Sequence, residues 1–333
     1  MRRFFDDRQL AHAPEVELHN GAFEPFAEHP GRAGPILAAI GPCEAPSDHG
    51  EAPLLAVHPR PYLDFLRSAY DDWRAADRPG DAVGYAWPVV RRRPLALDRI
   101  DAKLGRYSFD ATSPIAAGTF QSAWWSAQTA LSALDAVLAG DRSAFALCRP
   151  PGHHCGADYL GGYCYLNNAA IAAEAARAAG RKVAVLDVDY HHGNGTQDIF
   201  YARGDVLFVS VHADPATDYP FYWGHEGETG EGEGEGANFN LPLPRGADWV
   251  AYLPALETAL DRIAKFGAHL VVCSWGADTW DGDPISHFAL RTADYVRMAQ
   301  RIAQLGLPTL IVMEGGYATQ ALGDNVAAFL SGF

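Results

Sequence analysis

Residues 183–196 read VAVLDVDYHHGNGT, and this stretch decides the fold that the rest of the sequence predicts. It begins with the apolar, valine-rich run 183–186, and the predicted strand 183–188 that contains this run is typical of a strand buried on both faces of a parallel sheet. Its second half is polar and contains glycine, so aspartates and histidines begin where the strand ends. In open parallel sheets, ligands bind beyond the carboxyl ends of the strands. The stretch therefore predicts both a buried strand and a site at its end.

Similar apolar runs alternate with helical patterns on both sides of this stretch. The alternation predicts βαβ units around a central, mostly parallel sheet, in a single-domain, three-layer α/β/α architecture. The predicted domain spans residues 1–333 with an inserted loop region at about 78–118, and residues 1–60 read as irregular. The predicted strands are 144–148, 183–188, 206–211, 270–275 and 309–313, and the predicted helices are 61–76, 118–139, 166–179, 248–265 and 292–304.

The composition is that of a globular chain and discourages several functional classes. Of 333 residues, 48% are hydrophobic, and 41 Asp and Glu outnumber 26 Lys and Arg to give a formal net charge of −15. This balance argues against nucleic-acid binding, which relies on clustered Lys and Arg. The sequence shows neither a membrane-length apolar run nor a secretory signal, and its five cysteines form no CxxC pair. We therefore expect a cytoplasmic protein without nucleic-acid or membrane partners.

Aspartate and histidine residues gather after the predicted strands. Alternate side chains of an extended chain share a face, so Asp187, Asp189 and His191 should project into one crevice. A carboxylate beside an imidazole suits a divalent metal, and Asp278, after the strand 270–275, is the natural third ligand. Three protein ligands with an open position are typical of a catalytic zinc site. The alternative is that these acids cap helices or pair with arginines.

Further strand ends carry groups suited to amide hydrolysis. His153 and His154 lie on a glycine-containing turn and can supply a base and an acid. Asp187 and Asn194 are candidates to fix the tautomers of the two rings. Tyr317 follows two glycines and can turn its hydroxyl toward a developing oxyanion. With a metal that polarises a carbonyl group, this set predicts a hydrolase.

Taken in order, these motifs resemble the zinc-dependent histone deacetylase superfamily, which has the arginase–deacetylase fold. HPGRAGPIL, the 78–118 insertion and GADTWDGDPIS favour the bacterial acetylpolyamine amidohydrolases within it. The matching segments, spread from about residue 57 to 317, are VHPRPYLDFL, RPPGHH, GGYCYLNNAAIAA, LDVDYHHGNGTQDIFY, VSVHAD, GADT followed by DP, and EGGY.

The resemblance implies one Zn²⁺ ion per chain, a structural K⁺ ion, an aromatic tunnel and tandem catalytic histidines, of which His154 is the general base. The implied catalytic residues are His153, His154, Tyr317, Asp187 as the partner of His153, and Asn194 as the partner of His154. The implied zinc ligands are Asp189, His191 and Asp278, the implied monovalent-cation ligands are Asp187 and Ser210, and the implied substrate residues are Gly162, Tyr163, Tyr219 and Asp110.

The insertion bears on substrate and assembly. In the acetylpolyamine group it builds a dimer contact that narrows the site, so the resemblance implies a homodimer that takes slender cationic substrates. Where those enzymes carry an acidic residue for the polyamine, this chain has Thr112, which leaves Asp110 and Asp101 as candidates. The three arginines at 91–93 are expected to form a solvated run or an interface salt bridge.

The leading hypothesis is a metal-dependent hydrolase of linear amides. Metal-activated water would remove the acetyl group from a small N-acetylated amine, such as an acetylpolyamine. One alternative is a deacetylase of acetyl-lysine proteins or of other acylated small molecules. A second is a non-catalytic regulator that binds an acyl ligand. A third is a two-metal relative of arginase, although no second Asp/His set is evident near Asp278.

Overall fold

The computed structural model describes residues 1–88 and 95–333. The strands in this part of the chain are β1 (Arg2–Phe4), β2 (Val16–His19), β3 (Ala22–Pro25), β4 (Ser143–Ala146), β5 (Val183–Asp187), β6 (Val206–Ala213), β7 (Asn238–Leu243), β8 (Leu270–Trp275) and β9 (Thr309–Met313). The helices are α1 (Ala33–Ile40), α2 (Ala52–Leu55), α3 (Arg60–Ala75), α4 (Ile100–Tyr107), α5 (Thr119–Leu138), α6 (Asn168–Ala178), α7 (Asn194–Phe200), α8 (Trp249–Phe266), α9 (Thr292–Ala303) and α10 (Thr319–Leu330).

Seven of these strands form one sheet in the order β1-β4-β9-β8-β5-β6-β7, and all neighbouring strands in it are parallel. Strand β5 shows why both faces of this sheet are covered by helices. Val183 and Val185 belong to the core on one face of the sheet, and Ala184 and Leu186 belong to the core on the other. Alternate side chains point to opposite faces, so an uninterrupted apolar run requires a layer of helices on each face. The predicted three-layer α/β/α fold with a parallel sheet is confirmed.

The prediction that residues 1–60 are irregular is wrong. Strand β1 pairs with β4 at the edge of the sheet, and β2 and β3 form an antiparallel hairpin. An edge strand can keep charged residues such as Arg2 and Arg3 because one side of it is open, so it lacks the apolar signature of the central strands. Helix α1 begins with Ala-Gly-Pro, and proline is tolerated in a first helical turn although it obscures the helical pattern.

The excursion predicted at about 78–118 contains helix α4 and is closed at its base. The backbones of Ala82 and Ile115 exchange two hydrogen bonds, at 3.0 and 2.9 Å. The arginines at 91–93, expected to be solvated or to form an interface salt bridge, lie outside the described residues. The boundaries of the insertion and its role in a dimer stay predictions. Over residues 1–88 and 95–333, every helix is too short or too polar to span a bilayer.

Candidate metal centre and catalytic site

The order of the strands brings the chemically active residues together. Strands β4, β9, β8 and β5 are consecutive neighbours in the sheet, and all four run in the same direction. Their carboxyl ends therefore lie side by side, although the residues that follow them are far apart in sequence. The side chains gathered there are His153 and His154 after β4, Asp189 and His191 after β5, Asp278 after β8, and Glu314 and Tyr317 after β9.

Asp189, His191 and Asp278 form a cluster whose ligand atoms all lie within 4.8 Å of one another. The Nδ1 atom of His191 lies 3.1 Å from Oδ2 of Asp278 and 3.4 Å from Oδ1 of Asp189. Both carboxylates are fully buried, and His191 is 9% exposed. Backbone amides orient the carboxylates: Gly315 N donates to Asp189 Oδ2 at 2.8 Å, and Tyr190 N donates to Asp278 Oδ1 at 3.0 Å.

The charges of this cluster call for a cation. Burial and the neighbouring carboxylate of Asp189 both raise the pKa of Asp278, because two like charges in a dry site destabilise each other. Burial lowers the pKa of His191, but its hydrogen bonds with Asp189 and Asp278 outweigh burial and raise it to about 10. Positive charge is thus favoured between the carboxylates. Two oxygen donors and one imidazole nitrogen fit a divalent metal.

Two glycines make room for these carboxylates. A Cβ atom added at Gly276 would collide with the carboxylate of Asp189, and one added at Gly315 would collide with the carboxylate of Asp278. The glycines of the GAD and EGGY motifs are therefore required by close approach of the backbone to the ligands. This steric requirement explains why glycine immediately follows β8 and occurs two residues after β9.

The histidine pair is held by two different partners. The Nδ1 atom of His153 lies 3.0 Å from Oδ2 of Asp187, and the Nδ1 atom of His154 lies 2.7 Å from Oδ1 of Asn194. These are the partners that the sequence predicts. Because an amide oxygen only accepts hydrogen bonds, His154 must carry its proton on Nδ1, which leaves Nε2 as a free acceptor.

The two imidazoles differ in charge. Burial lowers the pKa of His153, but the carboxylates of Asp189 and Asp187 outweigh it and raise the pKa to about 10. The pKa of His154 is lowered well below its usual value by burial and by the positive charges of His153 and His191. A pair of titratable groups whose pKa values are pushed apart is suited to act as acid and base. His154 is the neutral member and His153 the protonated one.

Glu314 is a buried residue that the sequence analysis missed. Its Oε2 atom accepts hydrogen bonds from Gly152 N at 2.7 Å and His153 N at 3.2 Å, and Ser274 Oγ donates to its Oε1 at 2.9 Å. Burial raises the pKa of Glu314 to about 7. Glu314 thereby fixes the turn that carries the histidine pair. Its position as the first letter of EGGY was the available signal.

Tyr317 follows strand β9 and belongs to a small aromatic cluster. It is 9% exposed, and its ring packs with Phe26 and Tyr163. Burial raises the pKa of Tyr317 well above its usual value, although the guanidinium of Arg32, 4.8 Å from the ring centre, opposes the shift. The phenol therefore stays protonated at neutral pH and can donate a hydrogen bond.

The two tyrosines that are predicted to line a tunnel lie near the catalytic candidates. The ring of Tyr163 lies 5.6 Å from that of Tyr317, and the ring of Tyr219 lies 5.1 Å from that of His154. Tyr163 follows Gly162, where an added Cβ would collide with the ring of His154. Phe109, a residue of the insertion that the sequence analysis missed, stacks on Tyr219 at 5.9 Å.

Asp110 joins the two sides of this approach. Its Oδ2 atom accepts hydrogen bonds from the hydroxyl of Tyr219 at 2.7 Å and from Gly162 N at 2.8 Å. The hydroxyl of Thr112 donates to the same oxygen at 2.9 Å. The other candidate, Asp101, forms ion pairs with Arg78 and Arg99. Direct contact of Asp110 with substrate stays a prediction, because the bonds described here give it a supporting role.

Glu17 is a second acidic residue that the sequence analysis missed. It comes from hairpin strand β2, is 4% exposed, and accepts a hydrogen bond from the hydroxyl of Tyr163 at 2.9 Å. Burial raises the pKa of Glu17 to about 7, although the bond from Tyr163 opposes the shift. The nearest basic group is the imidazole of His19, whose Nδ1 atom lies 3.9 Å from Glu17 Oε1. A buried carboxylate that lacks a Lys or Arg partner costs free energy. No motif distinguishes Glu17 from its neighbours in the sequence.

The predicted monovalent-cation ligands are neighbours across two strands. Asp187 and Ser210 are register partners in the pairing of β5 with β6. The hydroxyl of Ser210 is within 2.8 Å of His212 Nδ1, and Asp187 Oδ1 accepts from Asp189 N at 3.1 Å. Their proximity is consistent with the implied K⁺ site, which stays a prediction.

Comparison with known proteins assigns this fold and site to a family. Residues 33–333 match the histone deacetylase domain. The chain is 50% identical to acetylpolyamine amidohydrolase 1 of Pseudomonas aeruginosa, over 99% of this chain and 97% of that protein. It is 46% identical to the acetylpolyamine amidohydrolase of Mycoplana ramosa, over 99% of this chain and 98% of that one. The chain therefore belongs to the histone deacetylase family.

A solved structure supports the same assignment. The crystal structure of an acetylpolyamine aminohydrolase from Burkholderia pseudomallei superposes with a TM-score of 0.96 at 42% identity, covering 100% of this chain and 98% of that chain. The predicted superfamily and fold are confirmed, as is the prediction of an enzyme of the amide-hydrolysing class. The relatives carry the name of the subgroup that the sequence motifs favoured.

We expect Gly276→Ala to weaken the binding of a divalent metal about 10–100-fold, because the new methyl group displaces the carboxylate of Asp189. Metal content of the purified protein by mass spectrometry, followed by titration with Zn²⁺, measures this. The control is Gly34→Ala in helix α1, where an added Cβ has nothing within 4 Å. Equal metal binding by both variants would contradict the assignment of Asp189 as a ligand.

Proposed function

We propose that this protein is a zinc-dependent deacetylase that hydrolyses small N-acetylated amines, and that its substrate class is the acetylpolyamines. The observation that carries the proposal is the burial, at one edge of the sheet, of a three-ligand cluster beside two histidines of opposed pKa. The names of the relatives support the same substrate class. The reaction consumes water and an acetamide and yields acetate and the free amine.

The metal would be held by Asp189, His191 and Asp278. When bound there, a Zn²⁺ ion polarises the amide carbonyl and lowers the pKa of water. The donor set and its excess negative charge support this assignment. One cluster of this kind is proposed per chain, since the other group of potential ligands in the described residues, around Glu314, is already engaged in hydrogen bonds to the backbone of the histidine turn.

The proton transfers belong to the histidine pair. His154, with its Nδ1 proton directed at Asn194, offers Nε2 as the base that takes a proton from the attacking water. His153, held by Asp187, delivers a proton to the nitrogen of the departing amine. Asp187 continues to raise the pKa of His153 when a cation offsets the charge of Asp189, so His153 can remain the acid of the pair.

Tyr317 donates its hydroxyl hydrogen bond to the carbonyl oxygen as negative charge develops there. Its burial excludes water, so the hydrogen bond is stronger than it would be in solution. Tyr163 and Tyr219 line a narrow approach that suits an unbranched alkyl chain. The acetyl group would thus enter first, with the remainder of the amine extending outward between the rings.

The cationic tail of such a substrate has a partner in Glu17. This carboxylate lies behind Tyr163 and has no Lys or Arg among its hydrogen-bonding partners in the described residues. A distal ammonium would stabilise its ionised form. This observation favours an acetylated diamine or polyamine over an acylated protein side chain. The experiments below distinguish this proposal from three alternatives. These are a deacetylase of acetyl-lysine proteins, a deacetylase of other acylated small molecules, and a non-catalytic regulator.

The homodimer that the resemblance implies is also part of this proposal. Within the chain, the insertion brings Phe109 and Asp110 to Tyr219. The cytoplasmic location and the lack of nucleic-acid and membrane partners stay predictions from the composition. A two-metal arginase-like activity is not favoured by any cluster of the described residues.

We expect Tyr317→Phe and His154→Ala each to lower kcat for N-acetylputrescine about 10²–10³-fold, because each removes a group needed only in the transition state. Steady-state kinetics, with metal content and thermal unfolding measured in parallel, test this. Tyr222→Phe, at a tyrosine that is 81% exposed, is the matched control. Near-normal kcat in Tyr317→Phe would remove the oxyanion role.

We expect the preference for a cationic tail to increase as pH rises from 6 to 8. Burial raises the pKa of Glu17 to about 7, so its carboxyl is protonated below that pH and charged above it. The ratio of kcat/KM for N-acetylputrescine to that for uncharged N-acetylbutylamine should rise about tenfold, the value of a charged hydrogen bond. Taking the ratio cancels the titration of the histidines, which both substrates share.

Glu17→Gln should abolish this pH dependence, whereas Glu24→Gln, at the exposed residue opposite Glu17 in the hairpin, should retain it. A flat ratio in the unsubstituted protein would contradict the role of Glu17. Faster hydrolysis of an acetyl-lysine peptide than of N-acetylputrescine would overturn the polyamine substrate and leave the deacetylase chemistry standing.

A further inference from the structure

The turn that carries Tyr317 is held from two sides by opposite charges. On one side, the guanidinium of Arg32 donates to the carbonyl oxygens of Gly316 at 2.7 Å and Glu314 at 2.9 Å. On the other side, Oδ2 of Asp283 accepts from the backbone N–H groups of Tyr317 at 2.7 Å and Ala318 at 3.2 Å. A cation thus binds the carbonyl groups of the turn, and an anion binds its amides.

Asp283 has no other evident task. It is 6% exposed, its other oxygen accepts only from Ile285 N at 3.1 Å, and it forms no ion pair with Lys or Arg among the described residues. A buried, uncompensated carboxylate is costly unless its hydrogen bonds are made to groups that need it. The amides that it binds precede helix α10, whose N-cap residue Ala318 makes no side-chain capping hydrogen bond.

Asp283 also belongs to the loop that carries the metal ligand Asp278. Within that loop, Asp283 N donates to Trp280 O at 3.1 Å, and the hydroxyl of Ser286 donates to the backbone oxygen of Asp278. The same loop contacts the tyrosine turn a second time, because Ala277 N donates to Gly315 O at 3.0 Å. The position of the phenol is therefore tied to the position of the metal ligand through one short segment.

We propose that Asp283 is a positioning residue, which fixes the hydroxyl of Tyr317 relative to the metal centre by binding the backbone amides of its turn. The proposal rests on the proposed function, in which Tyr317 acts on the carbonyl oxygen. Charge-assisted hydrogen bonds to two consecutive amides leave the turn little freedom. Loss of the carboxylate would let the turn shift, and a displacement of about 1 Å can lower a rate about 10²-fold.

A graded series of variants tests the proposal. Asp283→Asn keeps one oxygen acceptor and Asp283→Ala keeps none, so kcat should fall in the order Asp, Asn, Ala, by about 10–100-fold in the last. KM and metal content should change little, because neither the tunnel nor the ligands are altered. The control pair is Asp294→Asn and Asp294→Ala. Asp294 is a buried residue of helix α9 whose carboxylate accepts a hydrogen bond from the backbone N–H of Arg291, just before that helix.

The same substitutions in the Tyr317→Phe background separate positioning from general damage. If Asp283 acts through the hydroxyl, replacing Asp283 should cause no further loss of kcat in that background. An equal loss in both backgrounds, or unchanged kcat in a folded, metal-loaded Asp283→Ala protein, would overturn the proposal. If Asp283→Ala fails to fold, the loss of kcat caused by Asp283→Asn is compared between the unsubstituted and Tyr317→Phe backgrounds instead.

A crystal structure of Asp283→Asn gives a readout that does not depend on activity. A displaced tyrosine turn with unmoved metal ligands supports the proposal, and an unmoved turn overturns it. An unsubstituted protein that hydrolyses no acetylated amine would defeat the proposed function alone. Loss of activity in Tyr317→Phe with none in Asp283→Ala would defeat only the positioning role.

Discussion

The proximity of two buried carboxylates, those of Asp189 and Asp278, is the constraint on which the rest of the site depends. Two negative charges in a dry interior destabilise the fold unless donors or a cation face them. The protein supplies backbone amides from Gly315 and Tyr190, and it places the imidazole of His191 between the two acids. The remaining deficit of positive charge is what we propose a metal ion supplies.

The carboxylate of Asp189 also influences the pKa values of the two neighbouring histidines. Asp189 contributes to the raised pKa of His153, and the resulting positive charge in turn lowers the pKa of His154. The two histidines are adjacent in sequence and alike in chemistry, yet their surroundings give them opposite protonation. An amide rather than a carboxylate beside His154 preserves this difference, since Asn194 adds no charge that would favour the imidazolium form.

The sequence could predict the central fold and identify the candidate catalytic residues because both follow from short-range patterns. The run 183–186 is apolar on both faces, and the candidate site residues follow such runs directly, so parallel strand order alone brings them together. Strand β1 and the hairpin could not be predicted in this way, because edge and exposed strands carry polar residues. Glu17 and Asp283 were missed for a related reason. Each acts through tertiary contacts with a distant tyrosine, which no local spacing records.

Some of the residues that contact Tyr163 and Tyr219 come from segments outside the central sheet, and this has an evolutionary consequence. The groups that would perform the chemistry all follow strands of the central sheet, whereas Glu17 comes from the N-terminal hairpin and Phe109 and Asp110 come from the insertion. The match to the family domain begins at residue 33, after the hairpin. Part of the proposed recognition surface thus comes from other parts of the chain than the proposed reaction groups, although Tyr163 and Tyr219 themselves follow strands of the central sheet. Peripheral segments can diverge and redirect the enzyme to another amine while the hydrolytic apparatus stays untouched.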